Sequence, residues 1–353
     1  MAPHDDLPIV SPRKSRAVDV AREAGVSTAT VSRSFNEPDK VLPKVRERVM
    51  EAARKVGWLP HAAGSALARQ RTLLVGTIIP TLRSGIFANF VAGLQERLGE
   101  EGITLLVSVS GNDPSKALAE ARVMLSRGAE ALSLVGQAYP EELFDLLSAR
   151  SVPHVITHEF CGDGKHPSVG LDNREAFVTV TQHLLALGHR KFGLIMPDPK
   201  NNNRVAERIG GVLETLSDHG IAINAEHQIT GEWSPQMGYD AAVGILNRMP
   251  PTAIICGNDQ IAIGVLAAAR ARGFHVPGDL SVTGFDDDPV SEHIFPSLTS
   301  ARTDNTLMGS LAAECLLDQL AGRQAKSQKL TLLFAERQST SRPAKTDLNL
   351  DPQ

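Results

Sequence analysis

Cysteine is scarce in this chain: Cys161, Cys256 and Cys315 are the only three among 353 residues, and they are widely separated. Without paired spacing they make neither a zinc ribbon nor a disulfide frame, and they fit a reducing cytoplasm. No apolar run approaches the roughly 18 residues of a membrane span, so no membrane association is expected. The first dozen residues contain His4, Asp5 and Asp6 and lack an apolar core. That pattern argues against a secretion signal, and residues 1–12 read as a disordered leader. Also missing are a Gly-x-Ser-x-Gly elbow, a phosphate-binding loop and a Gly-x-Gly-x-x-Gly fingerprint. No catalytic constellation assembles without them, so the chain does not read as an enzyme and no cofactor is expected. The acidic run Asp286-Asp287-Asp288 has no His or Glu partner at ligand spacing, and no metal is expected there.

What is present is ordinary in amount and uneven in placement. A hydrophobic content of 42% with 22% charged residues describes a globular protein, and the length implies two or three domains. The net charge of −4 hides an asymmetry: residues 11–72 hold 13 Lys and Arg against 6 Asp and Glu, while residues 73–353 hold 23 against 32. A basic head on an acidic body favours phosphate at one end only.

The head has its own pattern. In residues 18–36, Val20, Ala21 and Ala24 fall at helical spacing, Gly25 supplies a residue that tolerates positive φ, and Ser27 is a good N-cap for a second helix. Val31 and Phe35 share one face of that helix. The other face carries Thr28, Ala29 and Arg33, flanked by Thr30, Ser32 and Ser34. Two short helices around a Gly turn are the parts of a helix-turn-helix reader, and this face is slim enough for a major groove. Residues 37–40 read as a turn. A third helix is expected over 43–56, with Val45, Val49, Ala52, Ala53 and Val56 inward. Residues 61–68 are Ala-rich but short and interrupted by Gly64, so a helix there needs a packing partner.

From residue 73 onward apolar strands alternate with amphipathic helices. Strands are expected over 73–79, 103–109, 131–135, 152–157, 191–196, 253–256 and 280–285, and helices over 87–101, 114–127 and 308–321. Such alternation predicts two doubly wound parallel sheets, hence two lobes with a ligand cleft at the strands' carboxyl ends. Those ends supply Ser84, Phe87, His158, Arg208, Trp233, Asn258 and Asp286. An indole with planar hydrogen-bonding groups suits a polyhydroxylated ring or a sugar acid.

The chain resembles the LacI/GalR family of bacterial transcription regulators over nearly its whole length. The likeness is carried in the head by Asp19-Val20-Ala21, Ala24-Gly25-Val26-Ser27, Thr30-Val31-Ser32-Arg33, Asn36, Gly57, Trp58, Pro60 and Leu67-Ala68. In the body it is carried by Asp172-Asn173, Leu187-Gly188-His189, Gly257-Asn258-Asp259, Gly284-Phe285-Asp286-Asp287, Pro296-Ser297-Leu298-Thr299 and Arg337-Gln338-Ser339-Thr340. The resemblance implies a helix-turn-helix domain over 13–60, a hinge helix and linker over 61–72, and a periplasmic-binding-protein-like core over 73–343. It further implies a first lobe over about 73–171 and 304–332, a second over about 172–303 and 333–343, and a disordered tail from 344.

By the same resemblance, Ser27, Thr28, Ala29, Thr30, Ser32 and Arg33 lie on the DNA-reading helix. Leu67 is the residue that two partner hinge helices wedge into the minor groove of a near-palindromic operator. Ser84, Phe87, His158, Arg208, Trp233, Asn258 and Asp286 fall where relatives hold a sugar, sugar acid or sugar phosphate effector. Arg83 and His158 add positive character and tilt the choice towards an acidic sugar. Residues 342–353 lack leucine heptads, so a homodimer is expected. A transport solute-binding protein would share the core but would need a secretion signal and have no use for residues 13–72.

Overall fold

A computed structural model describes residues 15–59, 71–162 and 164–344. The expected leader, the hinge segment 61–68 with Leu67, and nearly all of the tail lie outside the described residues. The chain divides into two compact units, residues 1–73 and 74–353.

In the small unit, α1 (Ala17–Ala24) ends where Gly25 takes φ 63°. That left-handed conformation lets the Val26 N–H reach the Ala21 carbonyl at 3.0 Å and turns the chain sharply. Ser27 then opens α2 (Thr28–Asn36), its Oγ accepting the Thr30 N–H at 3.1 Å. The turn expected over 37–40 is a single 3-10 turn, Pro38–Lys40. Pro43 sits in the first turn of α3 (Pro43–Val56), where its missing N–H costs nothing. Val20, Ala21, Ala24, Val31, Val49, Ala52 and Ala53 form the buried core, capped by Phe35 and Trp58 packed edge to face at 5.3 Å. Ser34, expected beside the exposed face, is instead buried and donates its hydroxyl to the Thr30 carbonyl at 2.8 Å. It lies three residues from Val31, on the inner side of a helix that sequence spacing alone left ambiguous.

The large unit has two lobes. The first contains β1 (Leu74–Ile79), α4 (Gly85–Glu100), β2 (Thr104–Val109), α5 (Pro114–Ser126), β3 (Ala131–Val135), α6 (Glu141–Ala149), β4 (His154–Thr157) and β5 (Ser168–Gly170). The second contains α7 (Asn173–Leu187), β6 (Phe192–Pro197), α8 (Asn203–Asp218), β7 (Gln228–Gly231), α9 (Pro235–Leu246), β8 (Ala253–Cys256), α10 (Asp259–Ala271), β9 (Ser281–Phe285), α11 (Val290–His293) and β10 (Thr299–Arg302). The chain then returns to the first lobe with α12 (Asn305–Leu320) and β11 (Gln328–Lys329), and closes in the second with β12 (Leu333–Ala335).

The strand orders are β11-β5-β4-β3-β1-β2 and β12-β10-β9-β8-β6-β7. Every pairing is parallel except β12 against β10. Chain segments therefore cross between lobes three times, after β5, after β10 and between β11 and β12. α12 belongs to the first lobe through an unusually close contact with α4. A Cβ on Gly309 would stand 2.1 Å from the Phe90 carbonyl oxygen, and one on Gly93 2.1 Å from that of Thr306. Separate apolar cores fill the lobes, around Leu132, Leu134, Leu143 and Ile156 in the first and Phe177, Leu194, Ile254 and Val282 in the second. Both sheets direct the carboxyl ends of their strands towards the space between lobes, where ligands of such sheets bind.

Candidate functional site

Two groups of side chains have the character of a site. The first is the outer face of α2. Ser27, Thr28, Ala29, Ser32 and Arg33 are exposed, and Thr30 is half-buried with its hydroxyl 3.0 Å from Ser27 Oγ. Nearby Arg22, Lys40 and Lys55 are each held by an acidic neighbour, Asp19, Glu37 and Glu23 respectively. Among the described residues no carboxylate lies within 4 Å of Arg33, Lys44, Arg46, Arg48 or Arg54. The outer face of α2 thus presents free backbone N–H groups at its start, small hydroxyls, and in its last turn the unpaired guanidinium of Arg33. Such a surface can meet phosphates at the helix N-terminus and a guanine edge through Arg33.

The second group surrounds a cavity of about 30 Å³ between the lobes, which shares Pro197, Asn202 and Trp233 with a wider pocket of about 700 Å³. Phe87, at the start of α4, and His158, after β4, enter from the first lobe. Arg208 of α8, Trp233 after β7 and Asp286 after β9 enter from the second. The Phe87 and Trp233 rings approach to 6.1 Å across the gap. Five of the seven residues expected in the cleft are thus together.

Ser84 and Asn258 do not line the cavity. Ser84 is the half-buried residue preceding α4. Asn258 is buried, and its Oδ1 caps α10 by accepting the Ile261 N–H at 2.9 Å. Its Nδ2 has no partner. Helix starts at strand ends need caps, and that need competes with ligand binding for the same polar side chains.

His158 is held at φ 61°, 6% exposed, with its ring against Phe87 and Phe90 at 5.1 and 4.8 Å. Burial, with Arg204 and Arg208 nearby, keeps its pKa well below the usual imidazole value. It is neutral, so it does not supply the positive character expected of it, and Arg83 is an exposed residue outside the lining. The positive charge comes from a pair one turn apart on α8, Arg204 and Arg208. Burial pushes Arg208 down to about 10 and lowers Arg204 as well. Arg208 donates from Nε to Asn173 Oδ1 at 2.8 Å and from a terminal nitrogen to the Gly257 carbonyl at 3.2 Å, and its guanidinium stands 4.0 Å over the Phe285 ring. Burial raises the Asp286 carboxyl well above its ordinary range.

Sequence reasoning missed Arg204 and Asn173. Arg204 precedes Arg208 by four residues, so helical spacing alone places both on one face. Asn173 begins α7 and joins the lobes, its Nδ2 donating to the His158 carbonyl at 3.0 Å while its Oδ1 holds Arg208. Among the described residues no group of three His, Cys, Asp or Glu side chains is arranged to hold a metal ion. No described helix is long and apolar enough to cross a membrane.

The profile of bacterial regulatory proteins of the lacI family matches residues 18–61, a stretch that takes in α2, α3 and all of α1 but its first residue. That of the periplasmic binding protein-like domain matches residues 181–340. The repressor PurR of Erwinia tasmaniensis is 30% identical over 88% of this chain and 92% of its own. The chain belongs to the lacI family. The lacI-family fold extends to the whole body: a LacI family regulator from Silicibacter pomeroyi superposes with a TM-score of 0.86 at 25% identity, covering 93% of this chain and all of that one. The lac repressor dimer bound to operator and the anti-inducer ONPF superposes at 0.81 with 27% identity, again over 93% of this chain and all of the other. Membership in the lacI family agrees with a helix-turn-helix unit and a two-lobed binding core on one chain.

Proposed function

We propose that this chain is a transcriptional repressor that binds a near-palindromic operator as a homodimer and responds to a small carbohydrate-like effector in the interlobe cleft. The observation that carries this reading is the double origin of the cavity wall. Phe87 and His158 come from one lobe, and Arg208, Trp233 and Asp286 from the other. A ligand touching both sets favours one lobe arrangement over another by the difference in its affinity for the two. The indole of Trp233 suits a sugar face, and the planar polar groups suit its hydroxyls.

A route from the cleft to the molecular surface runs through the segment after β9. Asp286 faces the cavity, and Asp287 takes the Arg337 guanidinium at 2.6 Å. The buried Asp259 accepts the Asp288 N–H at 2.7 Å and the Ser291 and Ser300 hydroxyls, each at 2.6 Å. A few residues on, Ile294, Phe295 and Pro296 border an apolar groove of about 850 Å³ with Ile263, Leu266 and Phe274. Phe295 is 91% exposed there. An apolar surface of this kind supports a second copy of the chain as its occupant, so that cleft and dimer contact share one short segment. Residues 61–72, which lead from the core to the helical unit, would then carry the change to the operator.

The test is Trp233→Ala in the full-length protein, with operator duplexes obtained by in vitro selection and effectors by thermal-shift screening of sugars and sugar acids. The variant is expected to bind operator with wild-type affinity in fluorescence anisotropy and to lose the effector response. An unchanged response locates the effector elsewhere.

A further inference from the structure

Two guanidiniums, Arg204 and Arg208, line the cavity, and neither is in direct contact with a carboxylate among the described residues. Arg204 is 7% exposed and makes one hydrogen bond, from Nε to Asn202 Oδ1 at 3.2 Å. Among the described residues no carboxylate lies within 4 Å of Arg204 or Arg208. Glu159 acts on Arg204 only through space, and its oxygens are held by amides: Asn203 Nδ2 donates to both, at 2.6 and 2.7 Å, and Gln137 Nε2 to one at 3.0 Å. Asp286 faces the same space, its carboxyl raised by burial against the pull of Arg208 and Arg204, and it makes no ion pair with either. His158 also lines the cavity, and its buried Nε2 has no hydrogen-bond partner.

A buried guanidinium without an acid is costly, because nothing replaces the hydration it has lost. One that serves only structure is normally paired, as Arg337 is with Asp287. Arg208 meets this need with two acceptors and an aromatic face; Arg204 has a single acceptor.

Size points the same way. About 30 Å³ holds a carboxylate or little more than one water, and not a sugar ring. The wider pocket beside Trp233, at about 700 Å³, has room for the ring. Resting on the reading of this cleft as the effector site, we infer that the effector carries an anionic head, a carboxylate or a phosphate, bound by Arg204 with help from His158 Nε2. The hydroxylated body then lies outward against Trp233. Arg204 is the residue that selects an acidic ligand over its neutral counterpart. A phosphate head, larger than a carboxylate, requires a slightly wider lobe opening.

The experiment compares full-length wild type with Arg204→Gln by calorimetry and thermal shift. The probes are D-glucose, D-gluconate, D-glucuronate, glucose 6-phosphate, inorganic phosphate and sulfate, at matched ionic strength. The inference expects acidic members to raise the wild-type Tm while glucose does not, and Arg204→Gln to bind them about ten- to a hundredfold more weakly. Stabilisation by the sugar acids alone identifies a carboxylate head, and by the phosphates a phosphate head. Either result supports an anionic effector.

Equal stabilisation of wild type and variant by the anions overturns the inference, as does a wild type that no anion stabilises. A response to glucose retained in Arg204→Gln and lost in Trp233→Ala overturns the anionic head while leaving the cleft as the effector site. A response that survives in both variants removes the cleft reading itself.

Discussion

In the helical unit Arg33 stands in solvent on α2, beside small hydroxyls, while in the cleft Arg204 and Arg208 are withdrawn from water on α8. The same side chain is thus set to two different tasks. An exposed guanidinium costs little to maintain and draws on long-range attraction, which suits a polyanion that must be found before it is read. A buried one is expensive unless something completes it, and that expense makes it selective for a small partner. Folding stability follows the same division. The helical unit has a small core of valines and alanines, whereas each lobe has a full sheet and its own apolar cluster.

The comparison can be attacked first at the buried charge of the second lobe. Asp259 is pushed up to about 6 by burial, against the hydroxyls and the backbone N–H that favour its ionised form. Below about pH 4 the carboxyl is protonated in both the folded and unfolded states. Between pH 4 and 6 the folded protein retains a proton the unfolded chain has lost, so this group's contribution to stability falls as pH rises through 6. Asp259→Asn removes the ionisation, and relative to wild type it should gain about 2–3 kcal/mol between pH 4 and pH 7. Urea unfolding followed by tryptophan fluorescence measures the difference, and parallel pH profiles for the two proteins would remove Asp259 as a titrating group.

At the exposed end, Arg33→Ala should lose about 1–3 kcal/mol of discrimination between selected operator and random duplex. Competition anisotropy at fixed salt reads this directly, and an unchanged ratio would reassign base reading to another side chain. The smallest effect tests the support beneath that face. Ser27→Ala deletes the oxygen that accepts the Thr30 N–H and should cost the helical unit about 1 kcal/mol. The measurement is thermal unfolding by circular dichroism, where an unchanged midpoint would show that solvent caps α2 as well as the serine does.

Local pattern made the helical unit readable. Gly25, Ser27 and Pro43 act within a few residues of themselves, and α3 spans the stretch its apolar spacing implies. Buried strands such as β3 and β8 were equally plain, because a short, largely apolar run alternating with amphipathic helices fits a strand covered on both faces. The short partners β5, β7, β11 and β12 were not individually legible. They are two to four residues long and exist because a neighbouring strand offers its edge. In the cleft, residue type and strand end picked out Phe87, His158, Arg208, Trp233 and Asp286. Spacing could not show that Asn258 is occupied as a helix cap, that His158 is neutral, or that Arg204 lacks an acid.

The sequence alone determined the division into a basic head and an acidic two-sheet body, because charge, capping residues and apolar period are properties of neighbours along the chain. Only the tertiary structure decided which polar groups meet in the cleft and which remain without a partner there. Desolvation and ion pairing depend on distances between residues far apart in sequence, such as His158, Asn173 and Arg208, and three crossings between lobes set those distances.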